Sequence, residues 1–178
     1  MKSIKSLLNQ AEHLLTPGTS TARLDAEVLL AHVIKQTRTY LHTWPDRALS
    51  AENINKFNAL INRRIKGEPI AYITGQQEFW SLPITVSPAT LIPRPETELL
   101  VELALQRIPE ERCLQIADLG TGSGAVALAI AHERPACQIV ATDISPDALN
   151  IARQNAEQLG IKNISFHESN WLSALGDH

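Results

Sequence analysis

Asp118, Gly120, Gly122, Gly124 and Asp143 have residue types and a spacing from which chemistry can be read. Residues 117–127 run Ala-Asp-Leu-Gly-Thr-Gly-Ser-Gly-Ala-Val-Ala, three alternate glycines between a short apolar run and a helix-forming run. The pattern reads as strand, turn and helix. Glycines allow the turn a positive φ and put no Cβ in the way of a ligand, so the amides that open the helix can point at a bound group. Thr121 and Ser123, interleaved with the glycines, are candidate contacts with them. Asp143 closes the next strand, where a carboxylate can accept hydrogen bonds from both hydroxyls of a ribose or cap the helix that follows. Trp171 follows the third strand and offers a flat apolar face for adenine or a core side chain, with Asn170 available to the ring edge.

The letters also satisfy G-x-G-x-x-A with Ala125 in sixth place, so a nicotinamide dinucleotide remains open. Asp118 weighs against it, because a carboxylate two residues before the first glycine repels a pyrophosphate in a low-dielectric cleft. A cationic ligand suits it better. S-adenosylmethionine carries an ammonium, a sulfonium, a ribose and an adenine, which match Asp118, the turn, Asp143 and Trp171 in order. The read-out is a methyltransferase-type site.

These residues need strands and helices to hold them. From residue 114 the pattern alternates: strand 114–119, helix 123–132, strand 138–142, helix 146–159, strand 163–167. Such alternation implies a parallel sheet with right-handed crossovers. Ser145 is a candidate N-cap, Pro146 suits the first helical position, and Gly160 ends the run. An open sheet of this kind has more strands than three, so the chain is expected to be a fragment with half of its sheet missing.

Upstream, Ile4, Leu7, Leu8, Ala11, Leu14 and Leu15 mark a first helix, stopped by Thr16-Pro17-Gly18. A second starts near Ser20 or Thr21 and carries Leu24, Val28, Leu29, Ala31 and Val33, with Asp25 and Glu27 near its positive end. A short third covers 38–42. Ser50 caps a fourth, striped by Ile54, Phe57, Leu60, Ile61 and Ile65. The four form a small bundle. Strands at 77–80 and 84–86 flank Ser81-Leu82-Pro83 as a hairpin, and Pro95 opens a helix reaching Ile108. Arg94, in the stiff Pro-Arg-Pro approach, is an exposed loop charge or a functional one. The organisation expected is a helical domain 1–75, a hairpin linker 76–93 and an α/β domain 94–178.

The 178 residues, 44% hydrophobic and 20% charged, have an ordinary globular composition. No apolar run approaches the roughly 20 residues that cross a bilayer, and nothing resembles a secretory leader, so a cytoplasmic, membrane-free protein is expected. Cys113 and Cys137 lack ligand spacing, and His13, His32 and His42 fall on different helices, so no metal site is expected. The net charge of −3 divides unevenly, +4 over residues 1–75 and −7 over 76–178. The basic part is a solvated helical face or a surface for an acidic macromolecule. Without a Lys/Arg run interleaved with aromatics, direct nucleic-acid binding is not expected.

A helical bundle, then Gly67-Glu68-Pro69-Ile70-Ala71-Tyr72-Ile73-Thr74-Gly75, a hairpin, Ile92-Pro93-Arg94-Pro95-Glu96-Thr97-Glu98 and Asp-Leu-Gly-Thr-Gly-Ser-Gly at 118–124 resembles the bacterial peptide chain release factor glutamine methyltransferases. The resemblance covers essentially the whole chain. It implies a Rossmann-like α/β sheet behind the helical bundle and hairpin, S-adenosylmethionine as cofactor, and methylation of the glutamine amide in the Gly-Gly-Gln loop of release factors. It also implies that Gly120 to Gly124, Asp143 and Trp171 hold the cofactor and that the helical lobe helps hold the release factor; Asp118 and Asn170 join that set from the reading of the residues above. The family's N-P-P-Y motif, which orients the acceptor amide, does not occur in this chain. Its place lies beyond His178, so no catalytic residue is assigned and the 178-residue chain is expected to be inactive alone. A methyltransferase for another amine or an adenine base, or a non-catalytic adaptor, are the competing readings.

Overall fold

Ser3 opens the first helix, its hydroxyl accepting the backbone N–H of Ser6, and the stripe Ile4, Leu7, Leu8, Ala11 and Leu15 turns inward along α1 (Ile4–Leu15). The computed structural model describes residues 2–171 and 173. α2 (Ala22–Ile34), α3 (Arg38–Thr43), α4 (Ala51–Ile65) and α5 (Ile70–Thr74) follow. Thr37 and Ser50 cap α3 and α4 through their hydroxyls. Leu29 and Leu30 of α2, Leu41 of α3 and Phe57 and Ile61 of α4 join the α1 stripe in one core. Burying each such side chain contributes about 1.5–3 kcal/mol before chain entropy is counted.

Three details depart from the sequence reading. The bundle has five helices among the described residues, not four. Residues 70–74 make too short a piece for helical periodicity to show, although Pro69 precedes it in the manner of a helix start. Of the apolar positions that mark the helices, Leu14, Leu24 and Ile65 are 48%, 42% and 50% exposed. Asp25 and Glu27, read only as acids near the positive end of α2, are buried, and cations reach them. Arg64 Nε donates to Asp25 at 2.7 Å, and Arg23 and Arg38 donate to Glu27 at 2.9 and 2.8 Å.

Contacts divide the chain into two units, Met1–Thr74 and Gly75–His178. The second opens with an antiparallel hairpin, β1 (Gln76–Phe79) and β2 (Leu82–Thr85). Phe79 pairs with Leu82, so the turn is Trp80-Ser81 rather than the expected 81–83, and Leu82 and Pro83 belong to a strand. Both turn residues have positive φ, 53° and 58°, the mirror-type geometry that matches strand twist but normally takes Asn or Gly. Two carboxylates hold it there: the Trp80 backbone N–H donates to Glu98 at 2.8 Å, and its indole N–H to Glu133 at 2.9 Å.

A 3-10 turn (Pro95–Thr97) leads into α6 (Glu98–Leu105), which ends short of the expected Ile108. The Arg134 guanidinium donates to the carbonyls of Leu105 and Ile108, satisfying the end of the helix. β3 (Gln115–Leu119), α7 (Ala125–Glu133), β4 (Gln138–Asp143), α8 (Pro146–Leu159) and β5 (Ile164–Glu168) then alternate. The three strands form a parallel sheet in the order β3-β4-β5, with Leu119 opposite Thr142 and Asp143 opposite Glu168. This is the α/β architecture expected, and its register gathers the carboxyl ends of all three strands. Residues 174–178, the end of the expected third segment, lie outside the described residues.

Candidate cofactor site

The turn after β3 is shaped by backbone sign. Gly120, Gly122 and Gly124 have φ of +79°, +56° and +83°, conformations that L side chains rarely adopt. Beyond that they differ. A Cβ on Gly120 or Gly122 would meet nothing within 4 Å, whereas one on Gly124 would lie 3.1 Å from both the Ala152 Cβ and the Leu128 Cδ1. Gly124 is therefore demanded by packing against α8 and α7, and Gly120 and Gly122 leave open space. The Gly120 and Thr121 N–H groups both donate to the Thr142 carbonyl at 2.8 Å, tying the turn to the end of β4.

Asp143 braces the same turn from its side chain. One carboxylate oxygen accepts the Gly122 N–H at 2.8 Å and the other the Ser145 N–H at 3.0 Å, so the acid serves the turn and the start of α8 together. Each oxygen keeps a lone pair for a further donor. Asp118 is mostly buried, and its carboxylate accepts the Thr121 hydroxyl at 2.7 Å. Burial pushes the Asp118 carboxyl above its ordinary value; hydrogen bonds from Thr121 and the Ala127 backbone offset this in part, and the neighbouring Asp143 charge adds to it. Among the described residues no cation pairs with Asp118.

A cleft of about 240 Å³ opens at the strand ends, lined by Gly120, Asp143, Ile144, Ser169, Asn170 and Trp171. It brings together Gly120, Asp143, Asn170 and Trp171 of the sequence-derived set. Asp118, Thr121, Gly122, Ser123 and Gly124 do not line it; Thr121 and Ser123 are buried within the turn. Trp171 is 72% exposed, so the core alternative for that side chain does not hold. Ile144 was not anticipated. It is 69% exposed directly after Asp143, and an apolar residue following an acid at a strand end was the signal available. Arg94 stands exposed ahead of the 3-10 turn and is not among these lining residues.

A parallel β-α-β-α-β unit with a glycine turn after its first strand and acids at two strand ends is the architecture of nucleotide-cofactor domains. Residues 111–177 match the family described as a methyltransferase domain.

Residues 6–75 match the family described as PrmC N-terminal domain. The chain is 54% identical over 158 residues to the release factor glutamine methyltransferase of Escherichia coli, covering 89% of this chain and 57% of that one. It is 53% identical over 175 residues to the one from Coxiella burnetii, covering 98% and 63%. The chain is thus similar, over nearly its whole length, to release factor glutamine methyltransferases, and it spans about three-fifths of the length of these relatives. Among solved structures, the human methyltransferase 10 domain containing protein overlaps 55% of this chain and 48% of its own at 21% identity and a TM-score of 0.47.

Proposed function

We propose that this chain serves the transfer of a methyl group from S-adenosylmethionine to the side-chain amide of the glutamine in the Gly-Gly-Gln loop of peptide chain release factors, in the cytoplasm where those factors act, supplying the cofactor site while the acceptor-orienting motif is not among its residues. The observation that carries this reading is the 53–54% identity to proteins named for that reaction along 89–98% of the chain.

The residues of the second unit fit the cofactor. Asp118 is a mostly buried carboxylate with no cation beside it among the described residues, and an ammonium supplies one. Open space over Gly120 and Gly122 admits a ligand against the backbone. At about 240 Å³ the cleft is below the roughly 300–1,000 Å³ of sites that enclose a whole drug-sized ligand, so it takes the nucleoside end. Asp143 accepts the ribose hydroxyls on its spare lone pairs, Ile144 and Trp171 present apolar faces to adenine, and Asn170 reaches the ring edge.

When bound, the cofactor supplies an electrophilic methyl carbon on a sulfonium. The chain's own task is to fix that carbon and exclude water from it, since an amide nitrogen is a poor nucleophile and orientation is the main source of rate. In this reading residues 1–75, with their net charge of +4, dock the release factor; 76–93 link; and 94–178 hold the cofactor. No contact with nucleic acid is required.

Mass spectrometry of release factors from cells with and without this protein tests the proposal. The methyl group on the Gly-Gly-Gln glutamine is expected only in its presence. A glutamine still methylated in its absence contradicts the reading.

A further inference from the structure

Asparagine is a poor choice for a helix interior, since its amide competes with the backbone for hydrogen bonds. Asn155 nevertheless sits in the middle of α8 with no exposed surface. Both donors and the oxygen of its amide are engaged by groups outside the helix. Nδ2 donates to the Ser123 carbonyl at 2.9 Å and to the Thr85 carbonyl at 3.0 Å, and Oδ1 accepts the Thr85 N–H at 2.8 Å. Thr85 belongs to β2 and Ser123 to the glycine turn, so one side chain ties the hairpin to the turn across α8. One helical turn earlier, Ala152 makes the close approach to Gly124. α8 therefore grips adjacent turn residues by two different means, a hydrogen bond at Ser123 and packing at Gly124.

We propose that Asn155 is a positioning residue for the glycine turn: by holding the Ser123 carbonyl and the Thr85 backbone together, it fixes the course of the backbone through residues 120–124, whose open face over Gly120 and Gly122 would receive the ligand. This rests on the reading of that turn as the cofactor site. A buried carbonyl deprived of its donor must find another, and Ser123 reaches one by rotation of the peptide units that carry the site. In Asn155→Leu the heavy-atom count and branching are kept, the two methyl groups being bulkier than the amide, and all three hydrogen bonds are lost. The turn is then expected to relax locally while the core stays filled.

Hydrogen exchange read by mass spectrometry tests this without any ligand. In Asn155→Leu, exchange over residues 119–125 and 84–86 is expected to quicken about tenfold relative to the rest of the second unit. Val101→Ala, a core loss in α6 where Val101 is fully buried, supplies the comparison: it is expected to quicken exchange without favouring those two segments. The same pattern in both variants would overturn the proposal, because Asn155 would then only fill space. Calorimetry with S-adenosylmethionine gives a second readout, with affinity about tenfold weaker in Asn155→Leu and within about twofold of the parent in Val101→Ala. Unchanged affinity in Asn155→Leu also overturns it. Should the parent protein bind no cofactor, the site reading falls, while the exchange comparison still decides the role of Asn155. If Asn155→Leu does not fold, Asn155→Ala, which removes the same three hydrogen bonds and matches Val101→Ala as a truncation, carries the same comparison.

Discussion

Two carboxylates, one in each unit, are taken largely out of water and meet opposite fates. The Glu27 side chain, 4% exposed, is ringed by Arg23, Arg38 and His42 at 2.9, 2.8 and 3.4 Å. Burial alone would push its carboxyl up, but the hydrogen bonds from Arg38 and Arg23 and the charge of His42 outweigh that and hold it below its ordinary value. At Asp118 burial wins, because the Thr121 hydroxyl and the Ala127 N–H only partly offset it and Asp143 repels. A buried acid that the chain neutralises itself belongs to the scaffold. One left short of a cation is poised for a ligand that brings it.

Removing Glu27 is the harshest test of that contrast. Glu27→Ala leaves Arg23 and Arg38 without their shared anchor and is expected to cost about 3 kcal/mol in urea unfolding, with cofactor affinity unchanged. A cost under about 1 kcal/mol would make the ion-pair cluster decorative. Asp118→Asn is expected to do the reverse, weakening S-adenosylmethionine binding at least about tenfold while raising the unfolding temperature at neutral pH.

The pH dependence sharpens the same point through sign. The folded pKa of Glu27 is depressed, so its stabilisation is present above the ordinary glutamate range and is lost as pH falls through the folded value. The folded pKa of Asp118 is raised, so its effect is a penalty, absent below the ordinary aspartate range and growing as pH rises towards the folded value. Urea midpoints followed from acid to neutral pH are therefore expected to rise less with pH in Glu27→Gln than in the parent, and more in Asp118→Asn. Smallest of all, Ser50→Ala removes the α4 cap and is expected to cost about 1 kcal/mol with no change in cofactor affinity.

What could be read from the sequence follows from how local each signal was. Ser145, Pro146 and Gly160 bracket α8 within one segment, and the helix runs 146–159 as expected. The glycine turn, Asp143 and Trp171 needed only strand–helix alternation to be placed at one sheet end. Asp25 and Glu27 lie near the start of α2 as read, but their burial was not legible because partners distant in sequence hold them, Arg64 lying 39 residues from Asp25 and Arg38 lying 11 from Glu27. The Trp80-Ser81 turn escaped because its strain is held by Glu98 and Glu133, which no turn propensity encodes. Asn155 was hidden for the same reason, its partners lying 70 and 32 residues away.

The most direct measurement is calorimetric titration of S-adenosylmethionine into the parent protein, Asp118→Asn, Asp143→Ala and Glu27→Gln. Binding by the parent and by Glu27→Gln, with loss of at least about tenfold in both aspartate variants, is the result expected. Equal affinity in all four proteins, or a loss confined to Glu27→Gln, would contradict the division between a self-neutralised scaffold acid and a ligand-seeking one.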